Sequence, residues 1–313
     1  MTGSRLLWLL VACVLVLVAS LMVGLRGNIA FVLELRAIRL VALVEVAVAI
    51  AVSTVVFQTV TGNRILTPSI MGLDALYVFG QSLLVFSLGA IGYAAIDPTW
   101  KFLGDALVLA VLAGCLLFPV LGLRADLNLM LLAGVVLGVL FRSLSTLLAR
   151  LIDPNDFAVV QDASFADFNT LRTELTLISG IVIAVATIAV WRLRHALDVM
   201  ALGREAAIGL GVDWNRTVAV SLALVVALVA VSTALVGPVA FLGLLVVAIA
   251  ERLVGTQRHA VLLPGAVLVA ILVLAGGQML LQHALGGASS LGIVIEFAGG
   301  LVFLLLLLSK VRR

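Results

Sequence analysis

Five ionisable residues sit inside otherwise apolar runs of this chain, and they are the first candidates for chemistry: Glu45, Asp74, Asp105, Arg142 and Glu296. A charge at the centre of a bilayer-spanning helix costs about 2.5 to 3.5 kcal/mol on insertion scales, so it needs a partner or a wet cavity. Asp74, Asp105 and Glu296 fall within about two turns of expected helix ends and can reach an interface. Glu45 lies one to two turns inside the second run, and Arg142 lies near the middle of the fifth. They could form a buried ion pair, line a translocation pathway, or reach an interface from misplaced span edges. Other chemistries are poorly supplied. A phosphate-binding loop needs glycines, a lysine and a hydroxyl at fixed spacing, but the chain's lysines, Lys101 and Lys310, follow no such frame. His195, His259 and His283 are scattered, with no paired carboxylate at metal-ligand spacing. Cys13 and Cys115 both lie in apolar runs and read as packing residues. The chain is therefore expected to bind no metal or cofactor and to catalyse nothing by itself. With 11% charged residues and a net charge of +3, it offers no basic stripe to nucleic acid.

The elements that would position these residues are helices in a bilayer. Of 313 residues, 64% are hydrophobic, well above the roughly 45 to 50% of soluble domains. At about 20 residues per span, this supplies about ten transmembrane helices and little else. Candidate runs cover 6–25, 40–60, 70–94, 102–123, 127–151, 175–191, 217–236, 239–254, 260–285 and 291–308. The first is too long for a cleaved signal peptide. Continuous apolarity excludes a barrel of alternating strands. Breaks fall at Gly62 and Pro68, Asp97 and Pro98, Asp153 and Pro154, Gly237 and Pro238, and Gly286 and Gly287. The stretches 152–174 and 192–216 are too short to fold alone, so residues 1–313 read as one all-α polytopic domain without a nucleotide-binding domain.

Basic residues orient it. With ten spans and a cytoplasmic N-terminus, inner segments hold Arg5, Arg64, Arg124, Arg192, Arg194, Arg204, Arg216, Arg252, Arg258, Lys310, Arg312 and Arg313, which is twelve of 19. Outer segments hold Arg26, Arg36, Arg39, Lys101, Arg150 and Arg172. Positive charge accumulates on the cytoplasmic side, so both termini are expected inside.

The inner segment 192–216 is unusual for a loop. Asp198 can cap a short helix, Gly203 and Gly209 punctuate, and Gly211 can supply a left-handed turn. Two short helical pieces are expected, with Leu197, Met200, Leu202, Ile208 and Leu210 facing protein. Such a helix suits a groove on another protein, although an interfacial amphipathic helix would have the same pattern.

Here the chain resembles a family. LDVMALGREAAIGLGVD, residues 197–213, is similar to the coupling loop of the FecCD-type permeases of iron-siderophore and vitamin B12 ABC importers. RAIRL at 36–40 resembles their RLPRL, NRILTPSIMG at 63–72 their NPLADPGLLG, and GPVAFLGL at 237–244 their GPIGFVGL. SLGIVIEFAGGLVFLLLL resembles the closing helix, and DASFADFN at 162–169 looks closer to the ferric-siderophore branch. The chain departs from the pattern where RAIR lacks a proline and where Val247 and Ala248 replace a frequent Pro-His.

The resemblance implies a type II ABC importer permease in a bacterial inner membrane, carrying an iron-siderophore complex. It implies three kinds of partner: a dimer of ABC ATPase subunits that uses ATP and Mg, a second permease subunit, identical or related, and an extracytoplasmic siderophore-binding protein. Leu197, Asp198, Met200, Ala201, Leu202, Gly203, Arg204, Glu205, Ala206, Ile208, Gly209, Leu210 and Gly211 would couple to the ATPase. Arg36 and Arg39 would meet acidic residues of the binding protein. Phe57, Gln58, Met71 and Gly72 would lie near an inner gate, while Glu45 and Arg142 stay candidates for the pathway from their depth alone. A stand-alone secondary carrier built from two repeats of five helices is the alternative, but no motif recurs between the halves.

Overall fold

The computed structural model describes residues 2–24, 28–122, 127–168, 171–284 and 291–311. Arg26, Arg124, Arg312 and Arg313 lie outside the described residues, as does Asn169. Each of the ten apolar runs contains a helix: α1 (Thr2–Met22), α2 (Ile29–Thr61), α3 (Leu73–Ala94), α4 (Pro98–Gly122), α5 (Leu127–Leu151), α7 (Thr173–Met200), α9 (Trp214–Val236), α10 (Leu242–Val254), α11 (His259–Ala284) and α12 (Leu291–Val311). A 3-10 turn η1 (Pro68–Met71) and two short helices, α6 (Pro154–Ala163) and α8 (Arg204–Gly209), complete the described elements.

Among the described residues, eight of the helices, α1 to α5, α7, α9 and α11, are long and apolar enough to cross a bilayer. The 13 residues of α10 reach only about 20 Å at 1.5 Å per residue, short of the roughly 30 Å hydrocarbon core. The run expected at 239–254 is therefore not one continuous spanning helix. Residues 237–240, just before α10, form no helix, with Gly237, Pro238 and Val239 buried in the bundle.

Most of α2 is buried, whereas Cys13 is the one buried residue among those described in α1. The buried part of α2 is rich in Ala42, Ala47, Ala49, Ala51 and Ser53, and small side chains on all faces let neighbours approach closely. Helices α7, α9, α10 and α11 pack around it, and α1 lies outside against α11. A second group, α3, α5 and α6, joins through η1 and through α4, which packs on α9. The turn before α4 is held by Asp97, whose carboxylate accepts the backbone N–H groups of Thr99 and Trp100 at 2.8 and 3.4 Å. Those bonds hold its carboxyl below the usual carboxylate range.

Two irregular segments cross inside the bundle. η1, preceded by buried Thr67, packs against α2, α5 and α9, and a small cavity is lined by Thr67, Pro68 and Ser69 from one segment and Gly237, Val239 and Phe241 from the other. Backbone without helix is tolerated at such depth only when protein surrounds it. Close approach is enforced by missing side chains. A Cβ on Gly72 would sit 2.6 Å from the Gly138 Cα of α5, and one on Gly243 would collide with the Thr54 Oγ1 of α2.

Candidate functional site

The last turns of α7, the loop after it, α8 and the start of α9 form one end of the bundle. The two short helices expected here are not both present: Leu197 to Met200 continue α7, and α8 is the single short piece. Helix α7 runs on because nothing stops it before Gly203, whose φ of +101° no residue with a Cβ adopts easily. Leu197 and Met200 are buried, as expected. Ala207 is fully buried and anchors α8, with its carbonyl accepting the Val212 N–H at 3.0 Å. By contrast Leu202, Ile208 and Leu210 are 65%, 53% and 63% exposed, so within this chain they do not face protein. Ala201, Gly203, Arg204, Glu205, Ala206, Gly209 and Gly211 are exposed with them.

Asp198 does not cap a helix of its own segment. Its Oδ1 accepts the backbone N–H of His259 at 2.7 Å, capping α11 from across the bundle, and lies 2.6 Å from the His259 Nδ1. An anionic group at a helix N-terminus is favoured by the unpaired N–H groups and the helix dipole. The other ring nitrogen, Nε2, lies 2.8 Å from the Thr59 Oγ1 in the last turn of α2. Thr59 and His259 border a cleft of about 520 Å³, lined also by Gln58, Arg64, Met200, Arg204, Trp214 and Glu251. Arg64 pairs with Glu251 at 2.7 Å, and Arg5 donates to the Leu253 carbonyl at 3.1 Å. The start of α1, the ends of α2, α7 and α10, and the start of α11 thus meet here. Nothing in the spacing of Thr59, Asp198 and His259 marks them as neighbours.

Arg36 and Arg39 are at the opposite end. Helix α2 begins at Ile29 rather than near residue 40, so both lie within it. Arg36 donates to the carbonyls of Ser20, Leu21, Val23 and Gly24 at 2.7 to 3.3 Å, satisfying the open C-terminus of α1. Arg39 is attracted by Asp167, and its Nε is buried without a hydrogen-bond partner.

The pathway candidates do not gather. Glu45 lies mid-helix rather than one to two turns in, and it accepts the Ser179 hydroxyl of α7 at 2.7 Å. A Cβ on Gly180 would sit 2.7 Å from its Oε1. Arg142, on α5, instead lines a cavity of about 370 Å³ with Asp74, Glu296, Ser69 and Ser145. No Glu45 to Arg142 ion pair is found among the described residues. Phe57 is fully buried in the core, while Gln58 donates to the Arg64 carbonyl at 2.8 Å and closes the turn after α2. Met71 ends η1, and Gly72 starts α3 against α5. Asp105 is held by Gln81, whose amide donates to it at 2.9 Å. Cys13 is free, and its Sγ donates to the Leu268 carbonyl of α11 at 3.0 Å; Cys115 is free and exposed.

The sequence pattern of the FecCD transport family matches residues 17–309. The chain belongs to the FecCD transport family. Among the relatives of this FecCD chain is the petrobactin import system permease protein YclO of Bacillus subtilis, 41% identical over 286 residues, or 91% of this chain and 90% of that one. The petrobactin import system permease protein FatC of Bacillus anthracis is 31% identical over 283 residues, covering 89% and 79%. The vitamin B12 import system permease protein BtuC of Salmonella typhimurium is 28% identical over 330 residues, covering 97% and 96%. The fold is that of a solved structure described as an inward-facing conformation of a metal-chelate type ABC transporter, with a TM-score of 0.84 at 22% identity over 98% of this FecCD chain and 99% of the other.

Proposed function

We propose that this chain is the membrane permease subunit of an ABC importer that carries an iron-siderophore complex across a bacterial inner membrane. The observation that carries this is α8. Buried Ala207 pins it to the bundle, while Leu202, Ile208 and Leu210 stand in solvent as an apolar face without a partner in this chain. That face fits a groove on a separate ATPase, which would use ATP and Mg while the permease itself binds no cofactor. Nucleotide-driven closure of two ATPase subunits would pull α8, and the bundle would rock between outward and inward openings.

Ten spans with both termini cytoplasmic accord with this reading. Arg5, Arg64 and Arg204 gather with α8 at one end, beside Arg216 at the start of α9 and Arg258 just before α11. The residues at 36 and 39 would meet an extracytoplasmic binding protein, beside the end of α1 that Arg36 already holds. A second permease subunit would complete the pathway, covering the face that bears Arg142 and Glu296. Petrobactin, named for two relatives, is the first cargo to try.

The test is copurification after mild solubilisation. The wild-type chain should bring down an ATPase and a second permease. The triple variant Leu202→Ser, Ile208→Ser, Leu210→Ser should lose the ATPase at an unchanged melting temperature. Solute movement by the purified chain alone, down an imposed gradient in vesicles, would overturn the proposal.

A further inference from the structure

We propose that Asp198, His259 and Thr59 form a hydrogen-bonded strut that transmits movement of α8 to α2 and α11. The proposal rests on α8 being the handle of a separate ATPase. The three residues are positioning residues and touch no cargo or nucleotide. Asp198 stands six residues before α8, in the last turn of α7. His259 is the first residue of α11 and is 1% exposed, so its ring cannot swing into solvent. Thr59 is in the last turn of α2. One imidazole thus ties three helix ends at the rim of the 520 Å³ cleft.

The chain of bonds holds in either charge state of the ring. A carboxylate only accepts, so the Nδ1 facing Asp198 carries a proton. In the neutral ring, Nε2 accepts the Thr59 hydroxyl proton. In the charged ring, Nε2 donates to the Thr59 Oγ1, and the hydroxyl turns to the Val55 carbonyl, 2.9 Å away. The link therefore does not depend on protonation, as a mechanical part should not.

Two features make these bonds suited to carrying displacement. Apolar contacts between helices are non-directional and permit sliding, whereas buried hydrogen bonds hold a fixed register and are strengthened by low dielectric surroundings. In addition, α11 contains Pro264 one turn after His259. Proline has no N–H to offer the Ala260 carbonyl, so the first turn of α11 is joined to the rest through a weakened rung and can bend there. A pull on Asp198 would move that turn first, and Thr59 would carry the same pull to α2, the helix at the bundle centre.

The experiment uses the complete importer, permease with its ATPase and binding protein, in vesicles, with radio-iron-loaded petrobactin as the probe. ATP hydrolysis and uptake are measured together. Thr59→Val should leave assembly intact and lower the iron taken up per ATP hydrolysed several-fold. Thr59→Ser should restore the ratio, because the hydroxyl returns. Combining Thr59→Val with Asp198→Ala should be no worse than the more severe single change, since a strut cut twice is still one cut strut. Should Thr59→Val fail to assemble, Asp198→Ala alone decides by the same ratio. An unchanged ratio, or hydrolysis and uptake falling together, overturns the strut and leaves the importer reading standing. A wild-type chain that brings down no ATPase overturns that reading, and the strut with it.

Discussion

Glycines mark two regions of this molecule, and they do opposite things there. Around α8 the glycines open onto space: a Cβ added at Gly203, Gly209 or Gly211 would meet nothing within 4 Å. Around the segments before α3 and α10, a Cβ added at the glycines would strike a neighbour. Gly72 lies on Gly138, Gly243 on Thr54, and Gly299 of α12 on the backbone and Cβ of Phe241, whose own φ of +58° is unusual for an aromatic residue. The first region is shaped for something to be added to it. The second is shaped so that nothing can be. Glycine spacing looks alike in both, which teaches that the same residue signals an exposed turn in one place and a backbone contact in the other.

The sharpest way to break the distinction is at Gly243. Gly243→Ala should cost about 3 kcal/mol or more, because Thr54 is itself buried on the central helix and has no room to yield. The loss should appear as a lower melting temperature in detergent, and Thr54→Ala should recover much of it by removing the clashing Oγ1. An undiminished melting temperature for the single variant would mean that the crossing is not tightly closed.

Arg36 comes next, since the family resemblance places it with the partner-facing residues and its hydrogen bonds place it with the closed ones. Arg36→Ala should cost about 1.5 to 3 kcal/mol, the range for hydrogen bonds to a charged group, and loosen the end of α1 in hydrogen exchange. Arg39→Ala should leave α1 unchanged. Equal effects of the two would erase the difference drawn here between them.

The smallest effect is expected at Gly209. It has helical backbone and open space, so Gly209→Ala should stay within about 0.5 kcal/mol of wild type. Gly209→Leu should likewise keep the melting temperature but change ATP hydrolysis in the assembled importer, because the added side chain projects where a partner would lie. A large loss of stability in either variant would show that α8 is packed rather than presented.

Much of this architecture is legible without coordinates. The ten apolar runs became helices because hydrocarbon leaves each backbone amide no other partner, and that rule is local to each run. The surface segment 197–213 is legible for a related reason: its glycines and its alternation of apolar and charged residues act within a dozen residues. Helix limits were harder to read. Arg36 and Arg39 interrupt the hydropathy of residues 29–40, yet α2 carries them because their guanidinium groups found partners outside it. The break in 237–241 was marked by Gly237 and Pro238, but not its depth, which depends on what surrounds it.

What the chain's order of residues determined by itself is a bundle of apolar helices with one glycine-punctuated, partly apolar segment and basic residues biased toward the same side. Composition and period act over short range, so they survive without knowledge of neighbours. Only the tertiary structure decided that Asp198 meets His259 and Thr59, that Arg142 faces Asp74 and Glu296 instead of Glu45, and that Arg36 closes α1. Such pairings depend on which helix faces pack together across tens to hundreds of residues, and a hydrogen bond about 3 Å long has no signature in spacing along the chain.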